Sequence, residues 1–200
     1  VENGKAVHFP LVNGTQGVRG MAVSPDGRYL AVAHVLSRYQ VPTTQLDRGW
    51  MNTNAVTIMD TACPDRPHPV LLDDPDAGAA NPWGVLFSPD GSRLLVTHAG
   101  THELSIIDFP ALLARMKKED RAGNPVSERL GFLHDIRTRV RLPLNGPRAL
   151  ASDGENVYVT GYFSDTLAQV PLKADAVPRN IPLNAEYRPS RERLGEQYFN

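Results

Sequence analysis

The chain has 200 residues, of which 41% are hydrophobic and 22% charged, and its formal net charge at pH 7 is −1. This near-neutral balance gives no sign of a nucleic-acid partner, and no apolar run approaches the ~20 residues that a membrane-spanning helix needs. We therefore expect neither nucleic-acid binding nor a membrane span. The single cysteine, Cys63, excludes a disulfide within the chain, a cysteine-based zinc site and covalent haem attachment through CxxCH.

The strongest pattern along the chain is a two-strand unit that occurs three times. It reads MAVSPDGRYLAVAH at residues 21–34, VLFSPDGSRLLVTH at 85–98 and, more loosely, LASDGENVYVTG at 150–161. Each copy combines an apolar strand, a turn that contains Gly, preceded by Pro in the first two copies, and a second strand rich in apolar and β-branched residues. A repeated unit at nearly constant spacing indicates a repeat architecture.

Further strands are predicted around each copy. Four short antiparallel strands per repeat are typical of a β-propeller blade. We therefore predict an all-β fold, a β-propeller of four-stranded antiparallel blades, with about three blades over residues 1–188. Propellers close with roughly four to eight blades, so these three are expected to be part of a larger ring. The additional predicted strands are an edge strand at 6–12, outer strands at 68–73, 139–144 and 179–183, and third strands at 55–60, 103–108 and 166–171.

Two insertions interrupt the repeats, and they are predicted on opposite faces. Residues 35–54 lie between the second and third strands of their blade, on the face where the loops that enter the inner strands emerge. Residues 109–137 lie on the face of the SPDG turns. Within them, the sequence Asp-Phe-Pro before 111–119 predicts a capped helix that packs on the blades.

Arginine and aromatic residues are concentrated on the first of these faces. Such residues are enriched in protein interfaces, and arginine also suits anionic ligands, so we predict a ligand- or partner-binding face at the mouth of the central channel. The alternative is that Trp50 only anchors the long insertion. Arg19, Trp83 and Arg148 precede the inner strands, while Arg38, Tyr39, Arg48 and Trp50 belong to the long insertion.

Two histidines occupy the same position in their repeats. His34 and His98 end the second strand of the repeat unit, where the third repeat has Gly161, and we include both in the predicted binding face. With His102 they form a candidate metal site, because imidazole binds zinc, copper and iron. The alternative, favoured by the glycine of the third repeat, is a hydrogen bond to a loop of the neighbouring blade. The acidic residues within 73–76 are predicted to lie in a solvated loop.

The three copies resemble the repeats of the YVTN family of bacterial β-propellers. The tetrapeptide YVTG at 158–161 differs from the family motif only at its last residue, and the resemblance covers about residues 6–183. Since propellers of this fold serve many functions, the resemblance implies the fold more directly than the activity.

A narrower resemblance concerns the long insertion and the end of the chain. The stretches RYQVPTTQLDRGWMNTNAVTIMD and RERLGEQYFN resemble propellers that precede a cytochrome c domain of the di-haem peroxidase (MauG-like) kind. In that family an Arg/Gly-Glu-x-x-Phe segment opens the haem domain, and Arg193, Gly195, Glu196 and Phe199 match it. The resemblance implies that residues 189–200 begin such a domain. It also implies that haem c is held on an adjoining domain or chain, and a periplasmic or extracellular location.

Three functions therefore remain open. The first is a docking module that supports electron transfer or partner binding by a c-type cytochrome, with no catalytic residue in this segment. The second is a hydrolase of the lactonase kind, with a metal ion or a His/Asp site at the channel mouth. The third is a surface-layer or adhesion scaffold.

Overall fold

The computed structural model describes residues 8–37, 51–123, 126, 129–173, 177–184 and 188–199. The strands in these residues form three antiparallel sheets, one for each predicted repeat. Blade 1 contains β1 (Thr15–Gln16), β2 (Met21–Val23), β3 (Tyr29–Ser37), β4 (Asn52–Asp60) and β5 (His68–Leu71). Blade 2 contains β6 (Pro82–Phe87), β7 (Arg93–His98), β8 (Glu103–Asp108) and β9 (Arg137–Arg141). Blade 3 contains β10 (Pro147–Ser152), β11 (Asn156–Gly161), β12 (Thr166–Pro171) and β13 (Arg179–Pro182), and the helices are α1 (Phe109–Ala122) and α2 (Arg191–Phe199).

Strand order within each blade follows the chain from the inner to the outer strand. Blades 2 and 3 run β6-β7-β8-β9 and β10-β11-β12-β13, and blade 1 runs β2-β3-β4-β5 with the short β1 also paired to β3. Each predicted outer strand therefore completes the blade that precedes it in the chain. The all-β prediction of four-stranded antiparallel blades is confirmed.

The repeated turn forms because its polar side chains bind their own backbone. The Asp90 carboxylate accepts hydrogen bonds from the Ser88 hydroxyl at 2.5 Å and the Ser92 backbone N–H at 3.0 Å. These hydrogen bonds lower the pKa of Asp90 to about 2. Gly91 has a φ of 71°, a left-handed conformation that glycine adopts without steric cost. Asp26 binds its turn in the same way, which explains why the SPDG sequence recurs.

The core lies between the blades. Facing side chains of blades 1 and 2 form the larger cluster, which includes Val56, Leu94 and Ile107. Blades 2 and 3 share a second cluster that contains Leu95, Leu104 and Val159. Along β7, Leu94 and Val96 belong to the first cluster and Leu95 to the second, because successive side chains point to opposite faces of a sheet.

Helix α1 closes the larger cluster from the side of the SPDG turns, as predicted. Asp108 caps it by accepting a hydrogen bond from the Ala111 backbone N–H at 2.9 Å. Phe109, Leu112 and Met116 are buried against the blades, so this helix is a packing element.

Some sequence predictions differ from the structure. Residues 8–12 of the predicted edge strand are not in a strand, and β5 is the outer strand of blade 1. Both ends of the insertion at 35–54 extend the hairpin, since Ser37 pairs with Asn52. Asp73 is buried rather than solvated, and it accepts hydrogen bonds from Asn54 and from the Ala79 backbone. No helix among the described residues is long and apolar enough to cross a membrane.

Candidate functional site

The structure brings three of the predicted binding residues together, although each comes from a different repeat. The Arg19 guanidinium lies over one part of the Trp83 ring, with its carbon 4.4 Å from the ring centroid. The Arg148 guanidinium lies 4.1 Å from the same centroid. Trp83 is thus shared by two cations at the junction of the three inner strands.

Two further residues continue this arrangement. Arg148 also lies 3.4 Å from the centroid of the Tyr162 ring, and Arg193 of helix α2 lies 4.1 Å from that ring. Arg19, Trp83, Arg148, Tyr162 and Arg193 therefore alternate cation and aromatic ring; we call these five residues the arginine–aromatic ladder. Guanidinium groups stack well on aromatic faces because they are planar and more weakly hydrated than ammonium groups.

Helix α2 is fixed to blade 3 through the last step of the ladder. The Arg193 guanidinium donates a hydrogen bond to the Tyr162 carbonyl and pairs with the Glu196 carboxylate at 2.5 Å. The Tyr162 hydroxyl donates to the Glu196 carboxylate at 3.2 Å. Phe163, which is buried, packs edge-on against Tyr162 with ring centroids 4.9 Å apart. The arginine nearest the end of the chain is therefore charge-compensated within the protein.

The inner strands position the ladder through irregular pairing and two glycines. The β6–β7 register shifts between Pro82 and Val85, on either side of Trp83, and the β10–β11 register shifts in the same way around Arg148. Such bulges redirect side chains. A Cβ on Gly84 would lie 2.1 Å from the Arg148 carbonyl oxygen, so only glycine permits this approach of the two inner strands. Likewise, a Cβ on Gly20 would lie 2.2 Å from the Trp83 carbonyl oxygen.

The guanidinium N–H groups of the ladder differ in how many hydrogen-bond partners they have. The Nε of Arg148 is buried and has no hydrogen-bond partner among the described residues. Arg148 as a whole is half-buried, between the rings of Trp83 and Tyr162, whereas Arg19 is exposed. The planes of the Arg148 guanidinium are thus covered by aromatic rings, which leaves the edges of the group for hydrogen bonding. An edge of this kind matches a carboxylate or another planar or tetrahedral oxyanion.

The two repeat-equivalent histidines lie inside their own blades rather than on the exposed face. The Nδ1 of His34 donates to the Val35 carbonyl at 3.1 Å, and its Nε2 accepts from the Thr57 hydroxyl at 2.7 Å. The partner is therefore the adjacent strand, and the prediction of a bond to a neighbouring blade's loop is wrong for His34. Burial lowers the pKa of His34, an effect opposed by the bond to Val35.

His98 repeats this arrangement with a serine. Its Nε2 lies 2.7 Å from the Ser105 hydroxyl, and the ring is completely buried. Burial, and then the charges of Arg139 and Arg137, lower the pKa of His98 to about 3. In blade 3 the positions of the histidine and the hydroxyl are taken by Gly161 and Ala168, so both partners of the pair are absent together.

His102 lies apart from this pair. It has a φ of 56°, and its Nδ1 accepts a hydrogen bond from the Gly146 backbone N–H at 3.1 Å. Burial, and then the charge of Arg141, lower its pKa. Among the described residues, which include His34, His98 and His102, no three histidine, cysteine or acidic side chains are close enough to hold a metal ion. Each of these histidines instead makes hydrogen bonds within the protein.

A second cluster of charges joins blades 1 and 2 at their outer edge. Asp74 pairs with Arg137 at 2.5 Å and with Arg139 at 3.0 Å, and Arg139 also pairs with Glu103. The Arg137 side chain is only 4% exposed and also donates to the Leu72 carbonyl. We interpret this network as structural, since carboxylates and backbone carbonyls accept from Arg137 and Arg139, although the buried Nε of Arg139 has no hydrogen-bond partner among the described residues.

Sequence reasoning missed the part of the ladder that lies in blade 3. Tyr162 and Phe163 follow the third repeat directly, where the first two repeats have no aromatic residue. That difference between repeats is the signal that identifies them. Arg193 and Glu196 were noted only for their resemblance to a haem-domain opening. Arg38, Tyr39, Arg48 and Trp50 lie outside the described residues.

Comparisons with known proteins show which proteins the chain is similar to. No family model matches it. Hydrazine synthase subunit beta of Kuenenia stuttgartiensis is 26% identical over 179 residues, which are 88% of this chain and 46% of that protein. The solved structure of K. stuttgartiensis hydrazine synthase matches with a TM-score of 0.71 and 26% identity, over 82% of this chain and 47% of the other. Over most of its length the chain is similar to the hydrazine synthase beta subunit. It spans about half the length of these relatives.

More distant structures share the fold. Streptogramin B lyase matches with a TM-score of 0.54 and 16% identity, over 88% of this chain and 43% of the lyase. The periplasmic gluconolactonase PpgL of Pseudomonas aeruginosa matches with a TM-score of 0.50 and 18% identity, over 84% and 43% of the two chains. At these identities the likeness establishes the β-propeller fold and nothing about activity.

Proposed function

We propose that this chain is a docking module of a multi-subunit extracytoplasmic redox enzyme, and that its partner binds at the arginine–aromatic ladder. The ladder carries the proposal. Trp, Tyr and Arg are the residues most enriched at the energetic centres of protein interfaces, and here they are assembled from three blades and a helix. A fold that only needed a stable core would not require stacked cations at an exposed junction.

The similar hydrazine synthase subunit supports an assembly role, because its name identifies it as one subunit of an enzyme. Its partners and chemistry belong to that protein. For this chain, the similarity makes a subunit of a larger complex the preferred function over a free-standing enzyme.

The redox part of the proposal rests on the resemblance to propellers of cytochrome c proteins. The only cysteine, Cys63, is exposed and stands outside any CxxCH motif, so haem would be held by an adjoining domain or another chain. The role of this segment would then be to position that domain or its partner. An extracytoplasmic location is part of the same proposal, since c-type cytochromes of this family lie outside the cytoplasm.

The test is to purify the affinity-tagged full-length protein from its native source under mild conditions. Its native mass, subunit composition and reduced-minus-oxidised absorbance spectrum are then measured. We expect a defined complex larger than the single chain, with c-type haem bands. A protein that is monomeric and free of haem would contradict the proposal.

Two variants link the complex to the ladder. Trp83→Leu keeps an apolar side chain but removes the ring that two arginines share, and we expect it to weaken the complex about ten-fold or more. Arg66→Ala removes an exposed arginine on the face of the SPDG turns and should leave the complex intact. Equal effects of the two variants would place the interface elsewhere.

The other two functions have less support in the described residues. A lactonase-like site requires a metal or His/Asp centre at the channel mouth, whereas His34 and His98 are buried and hydrogen-bonded inside their blades. An adhesion scaffold does not account for a ladder of cations and rings on one face.

A further inference from the structure

The ladder contains two arginines that form no close ion pair with a carboxylate among the described residues. Arg193 is paired with Glu196 at 2.5 Å. Arg19 and Arg148 have no carboxylate within 4.0 Å among the described residues, whereas acidic side chains pair this closely with Arg28, Arg137 and Arg139. The charge of Arg148 does contribute to the lowered pKa of Glu196, but that carboxylate pairs directly with Arg193. Since the whole chain has a formal net charge of −1, this positive site is local rather than a property of the molecule.

The geometry of Arg148 restricts the form of its ligand. Trp83 and Tyr162 cover the guanidinium at centroid distances of 4.1 and 3.4 Å, so a ligand meets the group at its edge. The Nε of Arg148 is buried, so a ligand would reach the guanidinium only at its two terminal nitrogens. A carboxylate that approaches edge-on accepts two parallel hydrogen bonds from such a group.

The surroundings favour a polypeptide over a small ion. Val18, beside Arg19 in the chain, is 54% exposed, and Tyr162 is 39% exposed. Apolar and aromatic surface next to unpaired arginines suits a segment that presents both acidic and apolar side chains.

We propose that Arg19 and Arg148 form a carboxylate-binding site for an acidic segment of the partner protein. The proposal rests on the docking function above and specifies the chemistry of the partner. Arg148 makes the bidentate contact, Arg19 adds a second cation on the far side of Trp83, and Tyr162 holds the Arg148 plane in place. Because stacking orders the guanidinium before binding, little conformational entropy remains to be lost.

The site is tested on the full-length protein with a fluorescent hexaglutamate peptide, with hexaglutamine as the uncharged control. Binding is followed by fluorescence anisotropy at low ionic strength. We expect hexaglutamate to bind and hexaglutamine not to bind. Arg148→Gln should weaken hexaglutamate binding about ten-fold or more, the size expected for a charge-assisted bidentate contact.

Matched variants distinguish binding at Arg148 from nonspecific attraction of the acidic peptide to any positive charge on the protein. Arg66→Gln removes the same charge from an exposed loop on the other face, and we expect less than a two-fold effect. Arg148→Lys keeps the positive charge but loses the planar guanidinium. We therefore expect its affinity for hexaglutamate to lie between that of Arg148→Gln and that of the unchanged protein. Equal binding by Arg148→Gln and Arg66→Gln would overturn the proposal. So would complete displacement of the peptide by inorganic phosphate at matched ionic strength, because the site would then be one for a free anion.

Thermal unfolding shows whether each variant is folded. If Arg148→Gln fails to fold, Arg19→Gln decides the question, since Arg19 is exposed and its loss leaves the blades intact. The outcome is independent of the native-mass experiment. A native complex without hexaglutamate binding would contradict only the carboxylate site, whereas a monomer that binds hexaglutamate at Arg148 would contradict only the assembly function.

Discussion

At the scale of single residues, the buried histidines are hydrogen-bonding members of the blades. Burial and the nearby charges of Arg139 and Arg137 lower the pKa of His98 to about 3, so the ring is neutral at pH 7. His34 is enclosed in the same way and bonded to Thr57. The loss of both histidine and hydroxyl in blade 3 indicates that the pair is a unit, because either group left alone would be a buried polar atom without its partner.

Acid is expected to destabilise the protein through His98. In the unfolded chain this histidine binds a proton near pH 6.5, whereas in the folded chain it binds one only near pH 3. The unfolded state therefore holds more protons between these values, and stability present above pH 6.5 is lost as the pH falls, by up to about 1.4 kcal/mol per pH unit. Urea unfolding across this window measures the slope. His98→Gln should reduce it, and the exposed His8→Gln should not; identical slopes would contradict the buried neutral histidine.

At the scale of elements, the close approach of inner strands organises the site. Gly20 and Gly84 lie against the carbonyls of Trp83 and Arg148, respectively, and the Gly84 N–H donates to the Thr97 hydroxyl, which in turn donates to the Arg148 carbonyl. The side chains of the ladder are consequently held within stacking distance by the backbone of the neighbouring blade. The ladder is a product of strand packing rather than of the loops above it.

Gly84→Ala should be strongly destabilising for this reason. Its Cβ would lie 2.1 Å from a backbone oxygen, and inner strands forced apart in this way typically lose about 1–3 kcal/mol. Gly195→Ala is the control, since a Cβ there meets nothing within 4 Å and alanine favours the helix. Urea unfolding gives both free energies. Equal stabilities of the two variants would show that the strands do not approach this closely.

At the scale of the whole molecule, the blades are joined by apolar clusters between the sheets and by the outer ionic network. Asp74 follows blade 1, while Arg137 and Arg139 lie on the outer strand of blade 2. Their side chains are largely buried, so their interaction is screened less by solvent than that of an exposed pair. The network therefore joins the two blades at their outer edge, in addition to the apolar contacts between them.

A double-mutant cycle on Arg137 and Asp74 tests this network. We expect Arg137→Ala alone to cost about 1.5–3 kcal/mol, because it removes charge-assisted hydrogen bonds to Asp74 and Leu72 while Asp74 keeps its pair with Arg139, and we expect the coupling to Asp74→Asn to exceed about 1 kcal/mol. The exposed pair Arg28–Asp60, at 3.4 Å, is the comparison and should couple by less than about 1 kcal/mol. Unfolding at low and high salt measures both cycles. A coupling at Arg137 no larger than that at Arg28 would mean that the apolar clusters alone hold the blades together.

The blades themselves were predictable because their signals are local. The SPDG turn is specified by Asp90 and Gly91, which bind or shape their own backbone, and the strands around it follow from short runs of apolar and β-branched residues. The cap of α1 at Asp108 is equally local. Errors arose where the partner is distant in sequence, as for Asp73, whose burial depends on Asn54 and Ala79.

The sequence by itself determined the repeat, the turns, the four-stranded blades and the presence of arginine and tryptophan at equivalent positions of the repeats. The prediction that all three precede the inner strands is wrong for Trp83 and Arg148, which lie in β6 and β10. Only the tertiary structure decided that Arg19, Trp83 and Arg148 stack with Tyr162 and Arg193, because cation–ring distances depend on the packing of separate blades. It likewise decided that His34 and His98 face the interior, since one residue of register selects the face of a strand. Local patterns fix elements, whereas sites built between blades require their relative placement.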